Sequence, residues 1–479
     1  MPTGNICLRL CFFLLCCVSI KAVQGGEKPN IIVFLADDLG YGDCGAFNSQ
    51  SKINTAHIDQ LAKEGVRFTD AHSASATCTP SRYGLLTGIN PMRTGVFNSL
   101  LKTGRPIIAE DEMTIADLLR VEGYLTWMVG KWHLGFEMDQ TTKKKSFDFS
   151  KDLVGGPLDC GFDSFFGLAS SASSSPLFYM KNRKFYNFPE VMIESDKFDG
   201  HGKKSKFKIK VPEGVVLKDV SPRLSQNAVN LIEQYAKSDQ EKPFFLYFAS
   251  TGPHQPWVPR DRFNGMSSLG AYADFVMQMD DELGQINQAL KDTGLEEKTI
   301  VIFTSDNGTG PGAHYLMDQQ EHKSSGPLRG AKASAYEGGH RIPFIAKWPG
   351  KIETNTQSNA VINGTDLFAT FAELLEIDMK EKCPKIAPDS FSFYSCLINQ
   401  SQEHKRPPMV VRESIRIGDW KLISPRGKKE FDSLKMNDFE FYNIEADPAE
   451  KTNMAASNPE RVKEIYKEFK DFMDQRKLK

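Results

Sequence analysis

The chain has 479 residues, 40% hydrophobic and 25% charged, with 59 basic side chains against 61 acidic ones for a net charge of −2. These are ordinary globular proportions, and the length suits one large domain with a smaller companion. So even a balance excludes general nucleic-acid binding, which needs clustered positive charge, and leaves any anionic ligand to a few placed cations.

Residues 1–25 carry one early arginine, Arg9, then an apolar stretch from Leu10 through Ile20 that closes on Val23-Gln24-Gly25. Spanning a bilayer takes roughly 20 apolar residues, so this pattern reads as a cleaved signal peptide. It places the chain in the secretory pathway, secreted or lysosomal. No later segment reads as a membrane span, and no lipid-anchor tail is legible. Loss of Arg9 and Lys21 shifts the net charge to −4, with 57 basic against 61 acidic residues.

Residues 26–405 read as the main domain. The runs Ile31 to Ala36, Phe244 to Ala249 and Ile300 to Thr304 are continuous and apolar, as in strands buried on both faces. Tyr124 to Val129 is a fourth. Between them, Ile58, Leu61 and Ala62 share one helical face before Gly65, and Leu283, Ile286, Ala289 and Leu290 do so before Gly294. Alternating strands and helices imply an α/β domain. Ser170 to Ser175 reads as a loop. Residues 406–479 differ: strand-like Met409 to Val411 and Trp420 to Ile423 precede a helix from about Pro459 to Lys477, with Val462, Ile465, Phe469 and Phe472 on one face. This predicts a small antiparallel-sheet-plus-helix domain.

Each buried run ends in distinctive polar residues: Asp37-Asp38, Asp306-Asn307, Thr251 through His254, and Lys131-Trp132-His133. Ligands of open α/β sheets bind beyond the carboxyl ends of strands, so these groups can share one crevice. Three carboxylates and an amide oxygen are hard ligands suited to Ca²⁺ or Mg²⁺. Either pair alone reads more readily as a helix cap or turn. Lys131 and His133 alternate in an extended segment and are expected on one side, the lysine to neutralise an anion and the histidine to move protons. Lys332 and Arg341 flank a glycine-rich turn ending in His340.

Of nine cysteines, Cys7, Cys11, Cys16 and Cys17 fall in the leader. Cys44, Cys78, Cys160, Cys383 and Cys396 remain, and four of them allow two bridges in three connectivities. Cys383 to Cys396 closes a short loop, which leaves Cys44 to Cys160 and an odd Cys78. Asn307-Gly308-Thr309 is a sequon, but its asparagine faces the crevice; Asn363 and Asn399 are the expected glycan acceptors. The tract Lys203, Lys204, Lys206, Lys208 and Lys210 reads first as a charged edge strand facing water. Holding a sulfated or otherwise anionic polymer is its second reading.

The stretch Cys78-Thr79-Pro80-Ser81-Arg82, followed by Leu86-Thr87-Gly88, resembles the C-x-P-S-R-x-x-x-L-T-G signature of type I sulfatases. Gly123-Tyr124 through Gly130-Lys131-Trp132-His133 is similar to that family's second signature, and Phe441-Tyr442-Asn443 with Asp447-Pro448 to its closing motif. The resemblance, with arylsulfatases and N-acetylgalactosamine-6-sulfatases nearest in character, implies an alkaline-phosphatase-like fold: a large mixed, mostly parallel sheet flanked by helices. It implies hydrolysis of sulfate esters, on sulfated carbohydrates or aryl sulfates, and oxidation of Cys78 to Cα-formylglycine by the formylglycine-generating enzyme. Asp37, Asp38, Asp306, Asn307 and residue 78 would hold Ca²⁺ (or Mg²⁺). Arg82 and Lys131 would fix the aldehyde hydrate, Lys131 and Lys332 would grip the sulfate, His254 would protonate the leaving alcohol, and His133 would take the remaining hydroxyl proton. A metal-dependent phosphoesterase of the same superfamily and a non-catalytic sulfated-glycan binder are the alternatives.

Overall fold

Every residue of Asn30–Asp37 is buried in strand β1, because an apolar run with no polar face needs cover on both sides. The structure, a computed structural model, describes residues 28–97, 105–137, 149–379, 385–399, 402, 404–425 and 434–475. The expected signal peptide and Cys383, with its pairing to Cys396, lie outside the described residues.

The strands that follow are β2 (Val66–His72), β3 (Leu125–Lys131), β4 (Ser164–Leu168), β5 (Met180–Lys181), β6 (Lys184–Phe185), β7 (Val191–Phe198), β8 (Lys204–Val211), β9 (Phe244–Pro253), β10 (Thr299–Ser305), β11 (Phe344–Lys347) and β12 (Thr356–Asn363). Ten of them form one sheet in the order β12-β2-β11-β10-β1-β9-β3-β4-β5-β6. The central five, β10-β1-β9-β3-β4, run parallel, while β11 is antiparallel to both β10 and β2. The expected mixed, mostly parallel sheet is therefore present. Alternation along β1 divides the core: Ile31, Val33 and Leu35 face one side, Ile32, Phe34 and Ala36 the other. Helices Val220–Ala236 and Ala271–Asp292 cover the second face through Leu224, Ala228, Ile232, Val276, Met279 and Leu283. Helices Cys78–Thr87, Ile115–Val121 and Leu367–Leu374 cover the first.

A separate sheet follows, β13 (Met409–Val411), β14 (Ser414–Ile417), β15 (Trp420–Ile423) and β16 (Glu440–Asn443), antiparallel throughout. Helix Pro459–Asp474 lays Val462, Ile465 and Phe469 onto it.

Two expectations are corrected here. Cys44 and Cys160 are not bridged: Cys44 is buried in the core on one face of the large sheet and Cys160 in the core on the other. A disulfide needs Cα atoms within about 7 Å, which the intervening sheet forbids. Asn363 is buried, accepts from Thr365 N and donates to the Ser73 carbonyl at 3.2 Å, so its amide is committed inside the fold. Asn399 is exposed.

Glu282 lies buried on helix Ala271–Asp292, where burial pushes its carboxyl from 4.5 up to about 7 against the opposing Ser221 and Gln278 hydrogen bonds. Because the folded value exceeds the unfolded one, the associated stability is full below pH 4.5 and is lost as pH rises through about 7. Glu282→Gln removes that loss. Its stability relative to the parent chain should improve by on the order of 2–3 kcal/mol between acid and mildly alkaline pH in urea unfolding.

Candidate active site

Four neighbouring strands, β10-β1-β9-β3, deliver their carboxyl ends to one place. β1 brings Asp37 and Asp38, β10 Asp306 and Asn307, β3 Lys131, and β9 His254. Opposite them stands Cys78, the first residue of helix Cys78–Thr87, whose ten residues are all buried. That helix ends at Gly88, where φ of +66° lets its N–H reach the Gly84 carbonyl, a left-handed cap that suits glycine.

Ligating atoms of Asp37, Asp38, Cys78 and Asp306 all lie within 4.8 Å of one another, and all four residues are buried. Three cations hold the acids together. Arg82 donates from Nε and Nη2 to Asp306 Oδ2 at 2.9 and 2.8 Å, and from Nη1 to the Lys131 carbonyl at 2.8 Å. Lys131 Nζ donates to both oxygens of Asp37 at 2.9 and 2.8 Å. Lys332 Nζ donates to Asp38 Oδ1 at 2.5 Å and lies 3.0 Å from Cys78 Sγ. Burial raises the Asp37 carboxyl, yet Lys131, His254, Arg82 and Lys332 outweigh it and hold it well below the usual range. Asp38 is lowered in the same way, chiefly by Lys332 and His254 against burial. Asp306, by contrast, is pushed up by burial and by the charge of Asp37. Burial and Asp306 raise the Cys78 thiol to about 12. An unmodified Cys78 is thus a protonated thiol at neutral pH and a poor nucleophile.

The donor set fits a hard divalent cation. Asn307 Nδ2 donates to Asp38 Oδ1 at 2.8 Å and to Gly308 O, while Asn307 Oδ1 is buried without a hydrogen-bond partner. A buried acceptor left open beside three carboxylates suits an oxygen-coordinated ion. A second cluster, His72, Glu337 and His340, also has metal-like spacing. There Lys421 Nζ stands 2.9 Å from Glu337 Oε1 and 3.3 Å from His340 Nε2, supplying the positive charge itself.

The backbone is strained at three points of the site. Asp38 (φ 70°), His133 (φ 58°) and Ala333 (φ 69°) are left-handed although none is glycine, a conformation that persists only where the surroundings enforce it. Lys131 and His133 therefore do not alternate along one extended run. β3 stops at Lys131, and the consecutive Trp132 and His133 amides both bond across to the Leu168 and Ala169 carbonyls at 3.0 Å, with His133 in the left-handed region. The His133 carbonyl accepts from Thr79 Oγ1 at 3.1 Å, next to Cys78. His254 is half-buried, with Nε2 3.8 Å from Asp38 Oδ2 and Nδ1 2.6 Å from the Gln255 carbonyl. Burial lowers its ring below the ordinary histidine value, against Asp38 and Asp37.

A cavity of about 330 Å³ opens over Asp38, His254 and Lys332. Its other walls include Phe198, Asp199, Gln255 and Trp257, which the motifs did not reveal because no signature spans them. His340 and Arg341 are not at this mouth. His340 is buried against His72, and Arg341 pairs with Asp70 and Glu337 at 3.6 and 3.5 Å.

Parallel strands that collect acids, a cysteine and paired cations at their carboxyl edge suit a metal-assisted hydrolase of anionic esters. The family model described as Sulfatase matches residues 29–377, and the chain belongs to that family; it is a sulfuric ester hydrolase. An N-acetylgalactosamine-6-O-sulfatase of Bacteroides thetaiotaomicron is 34% identical, with 92% of each chain covered. Human arylsulfatase A is 32% identical over 79% of this chain and 70% of its own length. A solved sulfatase structure from work on the metabolism of multiple glycosaminoglycans by Bacteroides thetaiotaomicron superposes with a TM-score of 0.81 at 30% identity, covering 94% of this chain and all of that one. A crystal structure in complex with k-i-k-neocarrahexaose gives 0.72 at 26% identity, with 94% of each chain covered.

Arg82 is fully enclosed, so its removal would leave Asp306 and Asp37 buried with one partner fewer. Arg82→Met should cost roughly 3–5 kcal/mol, as breaking a buried pair does, read as a lower unfolding midpoint in denaturant with no substrate present.

Proposed function

We propose that this chain removes sulfate groups from sulfated carbohydrates through a formylglycine made from Cys78, with Ca²⁺ as the resident cation. The observation that carries this reading is the enclosure of Cys78 among Asp37, Asp38 and Asp306, with Lys332 on its sulfur. Sulfated sugars as substrates rest on the names of the relatives. The small cavity beside Lys332 and His254 supports that choice by offering aromatic and polar walls for a sugar ring.

Asp37, Asp38, Asp306 and Asn307, with residue 78, would hold the ion. Calcium is preferred over magnesium because several protein oxygens converge from neighbouring strand ends, whereas magnesium keeps more of its waters. Once oxidised and hydrated, residue 78 supplies an oxygen nucleophile, dividing one difficult displacement into two steps. Lys131 and Lys332 neutralise charge on the non-bridging sulfate oxygens. Arg82 fixes Asp306 and the Lys131 carbonyl. His254, at the cavity edge, holds the proton for the departing alcohol, and His133 accepts the one released when sulfate leaves. The formylglycine-generating enzyme is the maturation partner. The apolar leader and the exposed Asn399 side chain of the second sequon favour a secreted or lysosomal glycoprotein, with 26–405 and 406–479 as its two domains. No helix among the described residues is long and apolar enough to cross a membrane.

Mass spectrometry of the peptide containing Cys78, from protein made in a secretory host, should show loss of the thiol sulfur and gain of a carbonyl. Intact sulfur in active protein would overturn the scheme. Cys78→Ser should abolish turnover of an aryl sulfate, a loss of at least about 10³-fold, with an unchanged unfolding midpoint. Titration of the chelator-stripped protein should raise its melting temperature more with Ca²⁺ than with Mg²⁺, and Asp38→Ala should erase the difference.

A further inference from the structure

The lysine tract forms β8, paired antiparallel with β7 in a hairpin apart from the large sheet. One face of this hairpin is anchored: Ile209 and Val211 are buried in the core, with Ile193 and Phe207 packed against it. The other face carries Lys204, Lys206, Lys208 and Lys210 from β8, opposite Phe198, Asp196, Glu194 and Met192 from β7. Residues directly opposite in an antiparallel pair project to the same side. Phe198 therefore marks where the lysine face leads.

It leads into the active-site cavity. Phe198 lines that cavity with Asp38, His254 and Lys332, and stacks on Trp257 at 4.9 Å and 19°. Gln255, next to His254, clamps the same residue, accepting from Phe198 N at 2.8 Å and donating to Phe198 O at 3.2 Å. The Asp199 carboxylate fixes the turn by accepting from the His201 and Lys203 amides at 2.9 Å. The hairpin tip is thus a wall of the catalytic pocket, and the lysines continue outward from it for about 20 Å at the usual strand rise.

Among the described residues, the four lysines on this face meet two acids. Asp196 serves both Lys204 and Lys206 at 2.7 Å, and Glu194 stands 3.8 Å from Lys208. All three lysines are more than half exposed in these pairs, and exposed pairs hold their geometry weakly. They can turn to an arriving anion without leaving a buried charge behind.

We propose that the β7–β8 hairpin is an accessory subsite for the substrate chain: Lys204, Lys206, Lys208 and Lys210 bind sulfates of a polysulfated glycan beyond the residue being desulfated. This rests on the sulfated-carbohydrate reading. It narrows the preferred substrate to a chain with sulfates on neighbouring sugars, recruited by charge and held along one direction from the pocket.

The test uses the mature full-length protein, a variant with all four lysines replaced by glutamine, and its all-arginine counterpart. On a polysulfated oligosaccharide, the glutamine variant should raise KM by about 10-fold or more with kcat kept, and its KM should respond less to salt. The arginine variant should behave like the parent chain. On a monosulfated aryl ester both variants should stay within about twofold, which also shows that the site is folded. On a dextran sulfate column the glutamine variant should elute at clearly lower salt. Unchanged elution and unchanged oligosaccharide KM would overturn the subsite. So would lost binding to phosphatidylserine vesicles with dextran sulfate retention intact, which would assign the lysines to a membrane. Should the parent chain cleave aryl sulfates but no sulfated sugar, the carbohydrate reading fails by itself, and the column still decides whether the hairpin binds sulfated polymer.

Discussion

Three carboxylates enclosed within a few ångströms of one another are the constraint on which the site depends. Like charges repel strongly in a low-dielectric interior, so Asp37, Asp38 and Asp306 require compensation at close range. Arg82, Lys131 and Lys332 supply it in equal number. Their balance explains why a cation and an anionic ester belong together here. A divalent ion among the acids would leave the site with surplus positive charge, and the two lysines, no longer needed by the carboxylates, could meet a sulfate. Arg82 differs from them: held by three hydrogen bonds to Asp306 and the Lys131 carbonyl, it is part of the frame.

The frame is a consequence of strand order. Because β10, β1, β9 and β3 are neighbours and parallel, their ends reach the same edge of the sheet at the spacing of adjacent strands. The chain must then leave each strand abruptly while keeping a functional side chain. Asp38 and His133 accept left-handed backbone immediately past β1 and β3 for that reason. Glycine would relieve the strain and lose the carboxylate or imidazole.

Much of this was legible from the residues, and the gaps have physical causes. Strands buried on both faces announce themselves as continuous apolar runs, so β1, β9 and β10 were placed to within a few residues. Their polar ends identified Asp37, Asp38, Asp306, Asn307 and His254 as neighbours, since α/β topology fixes where strand ends meet. The Cys44–Cys160 pairing failed because spacing along the chain says nothing about which face of a sheet a residue occupies. Asn363 failed because a sequon is defined by three residues, whereas its burial is decided by contact with Ser73, 290 positions away. The cavity walls at Phe198 and Trp257 come from a hairpin and a loop distant in sequence, each ordinary in isolation. Strand alternation foresaw the lysines facing water, but nothing local to the tract could tell which way that face pointed.

The small C-terminal sheet answers to the same electrostatic rule. Asp70, Glu337 and Glu450 are buried beneath it, and it carries their partners: Arg416 from β14 grips Asp70 with two hydrogen bonds of 2.8 and 2.7 Å, and Lys421 from β15 reaches Glu337 and Glu450 at 2.9 Å. Burial and Lys421 drive the His340 ring well below its ordinary value, so it stays neutral between them. Beside this network two backbone bonds tie the catalytic loops in place. Ser73 N donates to the His340 carbonyl at 2.8 Å, five residues before Cys78, and Ala333 N donates to the Ala76 carbonyl at 2.7 Å, one residue after Lys332. Removing one member of such a network leaves a buried charge unpaired, which costs more than the pair contributes. The C-terminal segment is therefore bound to the rest of the chain by charges that neither part can bury alone, directly behind the loops that set Cys78 and Lys332 against each other.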